Sequence, residues 1–197
     1  MLEYFTVKAS EINLSNRQML LEFSKERRKK IEVMKNEAAK KLCAAAELAL
    51  IKTVKHFYPN DSLPIEYRRS EHGKPYLCNH TALHINISHS GNYAVCAASD
   101  CPIGVDLQQI RKVNFNICKK YFTSDEQLYV GCDEQRFFEI WSKKESRVKA
   151  TGTGITIPLN SFSVLGNDDT FKFIELIPPE SGYVMYVCEK RSVPKLK

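Results

Sequence analysis

Two acidic side chains stand where acids are uncommon. In Gly104-Val105-Asp106-Leu107-Gln108, the period-two alternation of a strand puts Val105 and Leu107 on one face and Asp106 with Gln108 on the other. Aspartate is disfavoured inside a short apolar strand, so Asp106 either ends a turn or has a chemical task; Gly104, on its face, leaves room for something large to approach. The second acid is Glu145. On a helix from Arg136 to Ala150, with Phe137 set at 0°, Val148 falls at about 20°, Trp141 at about 40° and Phe138 at about 100°. Glu145 lands at about 80°, inside that apolar stripe, where a carboxylate loses hydration and must find a cation, a metal or a proton. Lys149, four residues on, offers an ordinary helical ion pair as the bland alternative. Beside a phosphate group, Asp106 and Glu145 together would instead make a magnesium site, since that ion takes one or two protein carboxylates with phosphate and water.

Other candidates are weaker. Ser88-His89-Ser90-Gly91 does not make a nucleophile and base, because neighbours on a strand point to opposite faces; a hydroxyl and an imidazole beside a glycine turn suit an anion better. Gly73-Lys74-Pro75 lacks the flanking residues of a phosphate loop, and Gly152-Thr153-Gly154 ends a helix rather than opening one, so neither implies ATP or NAD. The basic set Arg27, Arg28, Lys29, Lys30, Lys40 and Lys41 reads as a solvated helix face. Nucleic-acid binding is the sharper alternative, without aromatic interleaving or a recognised module to support it.

The elements that must carry these residues come in blocks. The first third reads as helix: a capping box at Ser15-Asn16-Arg17-Gln18, with Leu14 and Met19 as its staple, predicts a start near residue 16, and Ser24 marks a second start. A long helix runs from Asn36 to about Tyr58, with Leu42, Ala45, Ala46 and Ala49 at helical spacing, and Pro59 stops it. After a connector from Asn60 to Pro75, strands are expected between Asn86 and Ala98, around a turn, and over Ile103–Leu107. A capping box at Thr123-Ser124-Asp125-Glu126 opens one helix, and Asp133 caps the next, which stops at Gly152. From Ile155 onward, alternation predicts closing strands broken at 167–169 and 178–182. Blocks of helix and strand, without regular alternation, make the class α+β.

Composition sets the bounds. The 197 residues carry 29 Lys+Arg against 23 Asp+Glu, a net charge of +6, with 43% hydrophobic and 26% charged residues. That suits one compact unit or two small lobes, and it excludes disorder for most of the chain. No apolar run reaches the roughly 18 to 20 residues of a membrane span. Seven cysteines, an odd number without Cys-x-x-Cys, read as free thiols in a reducing compartment. The first residues lack a basic, then apolar, leader, so a cytoplasmic location is expected. Residues 1–60 hold 12 Lys+Arg against 7 Asp+Glu, so an anionic partner is expected there: a nucleic acid, a phosphorylated small molecule or an acidic protein.

Taken in order, Gly73-Lys74-Pro75, Asn86-Ile87-Ser88-His89-Ser90-Gly91, Gly104-Val105-Asp106, Phe122-Thr123-x-x-Glu126 and Trp141-x-x-Lys144-Glu145-x-x-x-Lys149-Ala150-x-Gly152-x-Gly154 resemble the 4′-phosphopantetheinyl transferases, in their monomeric, two-lobed surfactin type. The resemblance covers about residues 20 to 165. It implies an α+β fold of two pseudo-symmetric lobes, residues 1–101 and 102–197, each a small antiparallel sheet packed with a long helix, and an active site between them. It implies an enzyme that moves the phosphopantetheine arm of coenzyme A to a serine of an apo acyl or peptidyl carrier protein and releases adenosine 3′,5′-bisphosphate. By resemblance Asp106 and Glu145 hold magnesium on the diphosphate, and Gln108 stands where many relatives carry a third acid. Ser88 and His89 would contact phosphates, and Gly73, Lys74 and Pro75 would lie at the adenine and phosphate end. Arg27 and Lys30 would reach the 3′-phosphate, Lys149 would neutralise the diphosphate, and Glu145 would be the base. A monomer without nucleic-acid or membrane partners is implied. The rival readings are a coenzyme A-binding pseudoenzyme, motivated by Gln108, and a basic nucleic-acid-binding module.

Overall fold

The computed structural model describes residues 1–154, 157–166 and 168–191. The chain divides into two compact units, Met1–Asp100 and the segment from Cys101 onward. Both are α+β, and each is a small antiparallel sheet with one long helix, the fold class expected from the sequence.

In unit 1, strands β1 (Leu2–Lys8), β4 (His84–Ser90) and β5 (Tyr93–Ser99) form an antiparallel sheet in the order β1-β5-β4. Helix α3 (Glu37–Phe57) packs on it through Ala45, Ala49 and Val54, each fully buried in one core with Ala94, Cys96 and Ala98 of β5. Short helices α1 (Arg17–Leu21) and α2 (Lys25–Val33) precede it, and strands β2 (Tyr67–Arg69) and β3 (Pro75–Leu77) pair as a separate hairpin. Unit 2 sets strands β6 (Ile103–Gln109), β7 (Phe171–Glu175) and β8 (Tyr183–Lys190) in the order β6-β8-β7, all antiparallel. Helices α4 (Asn116–Tyr121) and α5 (Ser124–Val130) lead to the long α6 (Glu134–Thr151).

The start and stop signals hold for the long helices. Asn36 caps α3 by accepting from Ala39 N at 2.9 Å, Ser24 caps α2, and Asp133 caps α6 by accepting from Arg136 N at 3.0 Å. Gly152, at φ 70°, ends α6 in the left-handed conformation that glycine adopts without steric cost. Thr123 and Glu126 form the reciprocal capping box of α5.

Several expectations need correction. The N-terminal third is not all helix: the β-forming run Tyr4-Phe5-Thr6-Val7 belongs to β1, which pairs along its length with β5. The first helix is capped by Asn16, which accepts from Met19 N, and not by the Ser15/Gln18 box. The connector holds the β2–β3 hairpin, and α4 had no capping signal to announce it. Ile155 and Thr156, where the closing strands were expected to begin, lie outside the described residues; the strands of that region are β7 and β8. All seven cysteines are free thiols. Among the described residues no helix is long and apolar enough to cross a membrane.

Candidate active site

The seam between β6 and α6 gathers the acids. Gly104 lies against the helix: a Cβ there would stand 2.0 Å from Ser146 O and 2.4 Å from Ala150 N. The large object for which this glycine makes room is therefore α6 itself, not a ligand. Asp106, two residues along the same strand, faces the same way. Two further ties close the seam, Ser142 Oγ donating to Asp106 O at 2.9 Å and Lys149 Nζ donating to Val105 O at 3.1 Å.

Asp106 is 2% exposed. Its Oδ1 accepts from Lys149 Nζ at 2.6 Å, and its Oδ2 accepts from Gln108 Nε2 at 2.8 Å. The ion pair formed by Lys149 thus crosses from helix to strand, and the plain Glu145–Lys149 helical pair is not what this lysine makes. Glu145 is half-buried on α6 and within electrostatic reach of both. Burial, and then the negative charge of Asp106, push its carboxyl above the usual carboxylate range, and Lys149 offsets them only in part. Asp106, Gln108, Glu145 and Lys149 are thereby brought into one group by two elements, β6 and α6.

Among the described residues no three His, Cys, Asp or Glu side chains gather for a metal. The seam, where Gln108 turns its Nε2 toward Asp106, offers two carboxylates. These are hard donors, a set that fits magnesium completed by phosphate and water, and not a soft thiophilic metal.

A second ion pair on α6 escaped the sequence reading. Lys144 and Glu126 are both fully buried, 2.8 Å apart. Lys144 Nζ also donates to Leu159 O at 2.7 Å and Phe162 O at 2.6 Å, so its three donors have three acceptors. Glu126 accepts from Thr123 N at 2.9 Å and Val164 N at 2.8 Å. Burial pulls the Lys144 ammonium below its ordinary value against the attraction of Glu126. Glu126 is therefore a structural tie among α5, α6 and the 159–164 segment. The signal is present in the sequence: Lys144 falls at about 340° on the α6 wheel, beside Phe137 at the edge of the apolar stripe that singles out Glu145.

In unit 1 the predicted residues lie on three elements. Gly73, at φ 80°, turns the hairpin between β2 and β3, where Ser70 N donates to Lys74 O at 2.9 Å and Pro75 begins β3. Lys74 is half-buried, and its charge, after burial, helps hold His84 below its ordinary value. On β4, Ser88 is buried at 6% exposure and His89 is exposed, as opposite faces require. Lys30 is exposed on α2. Arg27 departs from the solvated face assigned to it, at 7% exposure. Its Nε donates to Glu47 Oε2 at 2.8 Å and its Nη1 to Cys43 Sγ at 3.3 Å, while Tyr67 OH donates to the same Glu47 oxygen at 2.9 Å. Burial works against the Arg27 charge, and Glu47 together with Tyr67 and Cys43 more than offsets it, so the guanidinium is held above its ordinary value.

Comparison with known proteins assigns a family to both units. Residues 7–101 match the family model described as 4′-phosphopantetheinyl transferase, N-terminal, and residues 102–191 match that of the 4′-phosphopantetheinyl transferase superfamily. The 4′-phosphopantetheinyl transferase Sfp of Bacillus subtilis (strain 168) is 36% identical over 66% of this chain and 66% of its own length. The ffp transferase of Bacillus subtilis is 34% identical over 68% of this chain and 67% of its own. The L-aminoadipate-semialdehyde dehydrogenase-phosphopantetheinyl transferase of Pongo abelii is 31% identical over 48% of this chain and 37% of its own. The chain spans about two thirds or less of these curated relatives' lengths.

Proposed function

The chain belongs to the 4′-phosphopantetheinyl transferase superfamily, and we propose that it transfers the phosphopantetheine arm of coenzyme A to a serine hydroxyl of an apo acyl or peptidyl carrier protein, as a cytoplasmic monomer. The observation that carries this reading is the Lys149 ammonium of α6 standing 2.6 Å from the buried Asp106 of β6, with Glu145 of α6 within electrostatic reach of both. Two acids and a lysine held on separate rigid elements suit a diphosphate and its counter-ion, and phosphoryl-type transfer asks mainly for positioning and charge stabilisation.

Asp106 and Glu145 would hold magnesium, with Gln108 as a neutral third donor. When bound, that ion would lower the charge of the diphosphate and of the departing phosphate. Glu145, whose carboxyl is raised by burial and by Asp106, would take the proton from the carrier serine as its oxygen bonds to the phosphorus bearing pantetheine. The bond to the adenosine-side phosphate would break, releasing adenosine 3′,5′-bisphosphate. Lys149 would offer its ammonium to the diphosphate. In unit 1, Lys74, Ser88, His89 and Lys30 would bind the remaining phosphates, with Gly73 and Pro75 shaping the turn that presents Lys74. Arg27, with Nε and Nη1 committed to Glu47 and Cys43, would contribute through the rest of its guanidinium.

The test is to incubate the protein with an apo carrier protein, coenzyme A and Mg²⁺ and to weigh the carrier. A gain of one phosphopantetheine is expected, with Glu145→Ala folded and inactive. Coenzyme A binding without mass gain on any carrier would instead mark a pseudoenzyme. A salt-sensitive nucleic-acid complex without transfer would favour the basic module.

A further inference from the structure

Both carboxylate oxygens of Asp106 already accept a hydrogen bond. Oδ1 is taken by Lys149 at 2.6 Å and Oδ2 by Gln108 at 2.8 Å, in a side chain only 3% exposed. Lys149 is better exposed, at 27%, and its second bond to Val105 O anchors the ammonium at the seam. The place where a divalent ion would sit against Asp106 is therefore held by a cation that belongs to the chain. Resting on the coenzyme A reading above, we propose that Lys149 is a resident counter-ion: it keeps a divalent metal off Asp106 in the free protein and moves to the diphosphate when metal and coenzyme A arrive together.

The charges favour this exchange. Asp106 and ionised Glu145 carry −2 and Lys149 carries +1, so the lysine halves the negative charge of the free seam without a metal. A divalent ion entering alone would meet the ammonium at close range and either repel it or strip it from a buried carboxylate. A diphosphate entering with the ion gives the ammonium a new acceptor, so one charge-assisted hydrogen bond replaces another and Asp106 Oδ1 is released for the metal. Metal and coenzyme A must then strengthen each other's binding by the same factor, because linkage is reciprocal.

The experiment is calorimetric titration of the full chain with Mn²⁺ alone and with Mn²⁺ after saturation by coenzyme A. In the wild type, coenzyme A is expected to tighten Mn²⁺ binding at least tenfold. Lys149→Met, close in length and uncharged, should bind Mn²⁺ alone at least tenfold more tightly than the wild type. In the presence of coenzyme A the order should reverse, since the variant lacks the group that the diphosphate engages. Lys149→Arg keeps the charge and should bind Mn²⁺ alone as weakly as the wild type. The proposal is overturned if Lys149→Met binds Mn²⁺ alone no more tightly than the wild type, or if it stays the tighter binder once coenzyme A is bound. Should Lys149→Met not fold, a wild-type Mn²⁺ affinity indifferent to coenzyme A overturns it equally. Coenzyme A binding with no Mn²⁺ uptake by any of the three proteins would remove the metal reading itself, and failure to bind coenzyme A would remove the cosubstrate reading.

Discussion

The long helices of the two units meet their sheets by different means. Helix α3 comes close to β5 because the helix supplies small residues, Ala45 and Ala49, against Ala94, Cys96 and Ala98. Helix α6 comes close to β6 because the strand supplies the small residue, Gly104, under Ser146 and Ala150. Where the helix gives up its side chains, Thr53 Oγ1 donates across the interface to Cys96 O. Where the strand gives up a side chain, the helix can still carry Ser142, Glu145 and Lys149 to the same seam. A similar plan of sheet and helix thus becomes a core in one unit and a charged site in the other.

Buried ion pairs sharpen the contrast most strongly. In unit 1, removing Arg27 would leave Glu47 with two other donors, Tyr67 OH and Ser24 N. In unit 2, removing Lys144 would also leave its acid two donors, Thr123 N and Val164 N, but Glu126 is fully buried and Leu159 O and Phe162 O would lose their ammonium as well. Lys144→Met is therefore expected to cost about 3–5 kcal/mol of stability, and Arg27→Met clearly less. The double variant Lys144→Met/Glu126→Gln should recover much of the loss, because no charge is then buried alone. Urea unfolding of the four proteins checks this; equal losses for Arg27→Met and Lys144→Met would break the comparison.

The seam itself is the next target. Gly104→Ala would place a methyl 2.0 Å from a backbone oxygen of α6, and neither partner is a flexible side-chain end. One element must move, at about 1–3 kcal/mol for overpacking. A shift of the acids by the order of an ångström is expected to lower transfer roughly 100-fold. The counterpart in unit 1, Ala49→Gly, should cost about 1 kcal/mol of stability by weakening the helix, with turnover per folded molecule unchanged. The comparison fails if Gly104→Ala retains full turnover.

Glu145 leaves a smaller mark on stability. Its folded carboxyl is raised, by burial first and Asp106 second, above its unfolded value. Between those two values the unfolded chain has released the proton and the folded chain still holds it, so stability falls as pH rises through that window and levels off above it. In metal-free protein, the wild type should lose urea resistance with rising pH across the upper carboxylate range more than Glu145→Gln does. Parallel curves for the two would show that the Glu145 carboxyl is not raised in solution.

The parts of this arrangement that the sequence makes readable are those governed by local rules. Caps at Ser24, Asn36, Thr123 and Asp133 were legible because a side chain three residues away in sequence satisfies a known orphan donor. The facing of Asp106 and the odd placement of Glu145 follow from the periods of strand and helix. Strand β1 was hidden because its pairing with β5 is more than 80 residues distant in sequence, and no local signal reports a partner that far away. The same holds for Arg27, whose burial is decided by Glu47 and Tyr67. Gly104 is legible only in part: a missing side chain says that something large approaches, and only the fold says that it is α6.

The mildest change probes Gln108, the neutral neighbour on β6. In unit 1 one face of β4 carries Asn86, Ser88 and Ser90, polar but uncharged. In unit 2 the face carries one acid, and Gln108→Glu would add a second. In the wild type the Gln108 amide donates to Asp106 Oδ2 at 2.8 Å, steadying the carboxylate without contributing charge. Glutamate there would lose that donor and repel Asp106 until a cation arrives, so the variant should be slightly less stable without metal. With metal the added carboxylate would count as a charged donor, and the Mg²⁺ concentration for half-maximal transfer should fall roughly three- to tenfold, affinity following the number of charged ligands. The maximal rate should change little, since the proposed proton acceptor is Glu145 on the other element. An unaltered magnesium requirement in Gln108→Glu would mean that the amide holds Asp106 and nothing more, and that the site of unit 2 works with two acids alone.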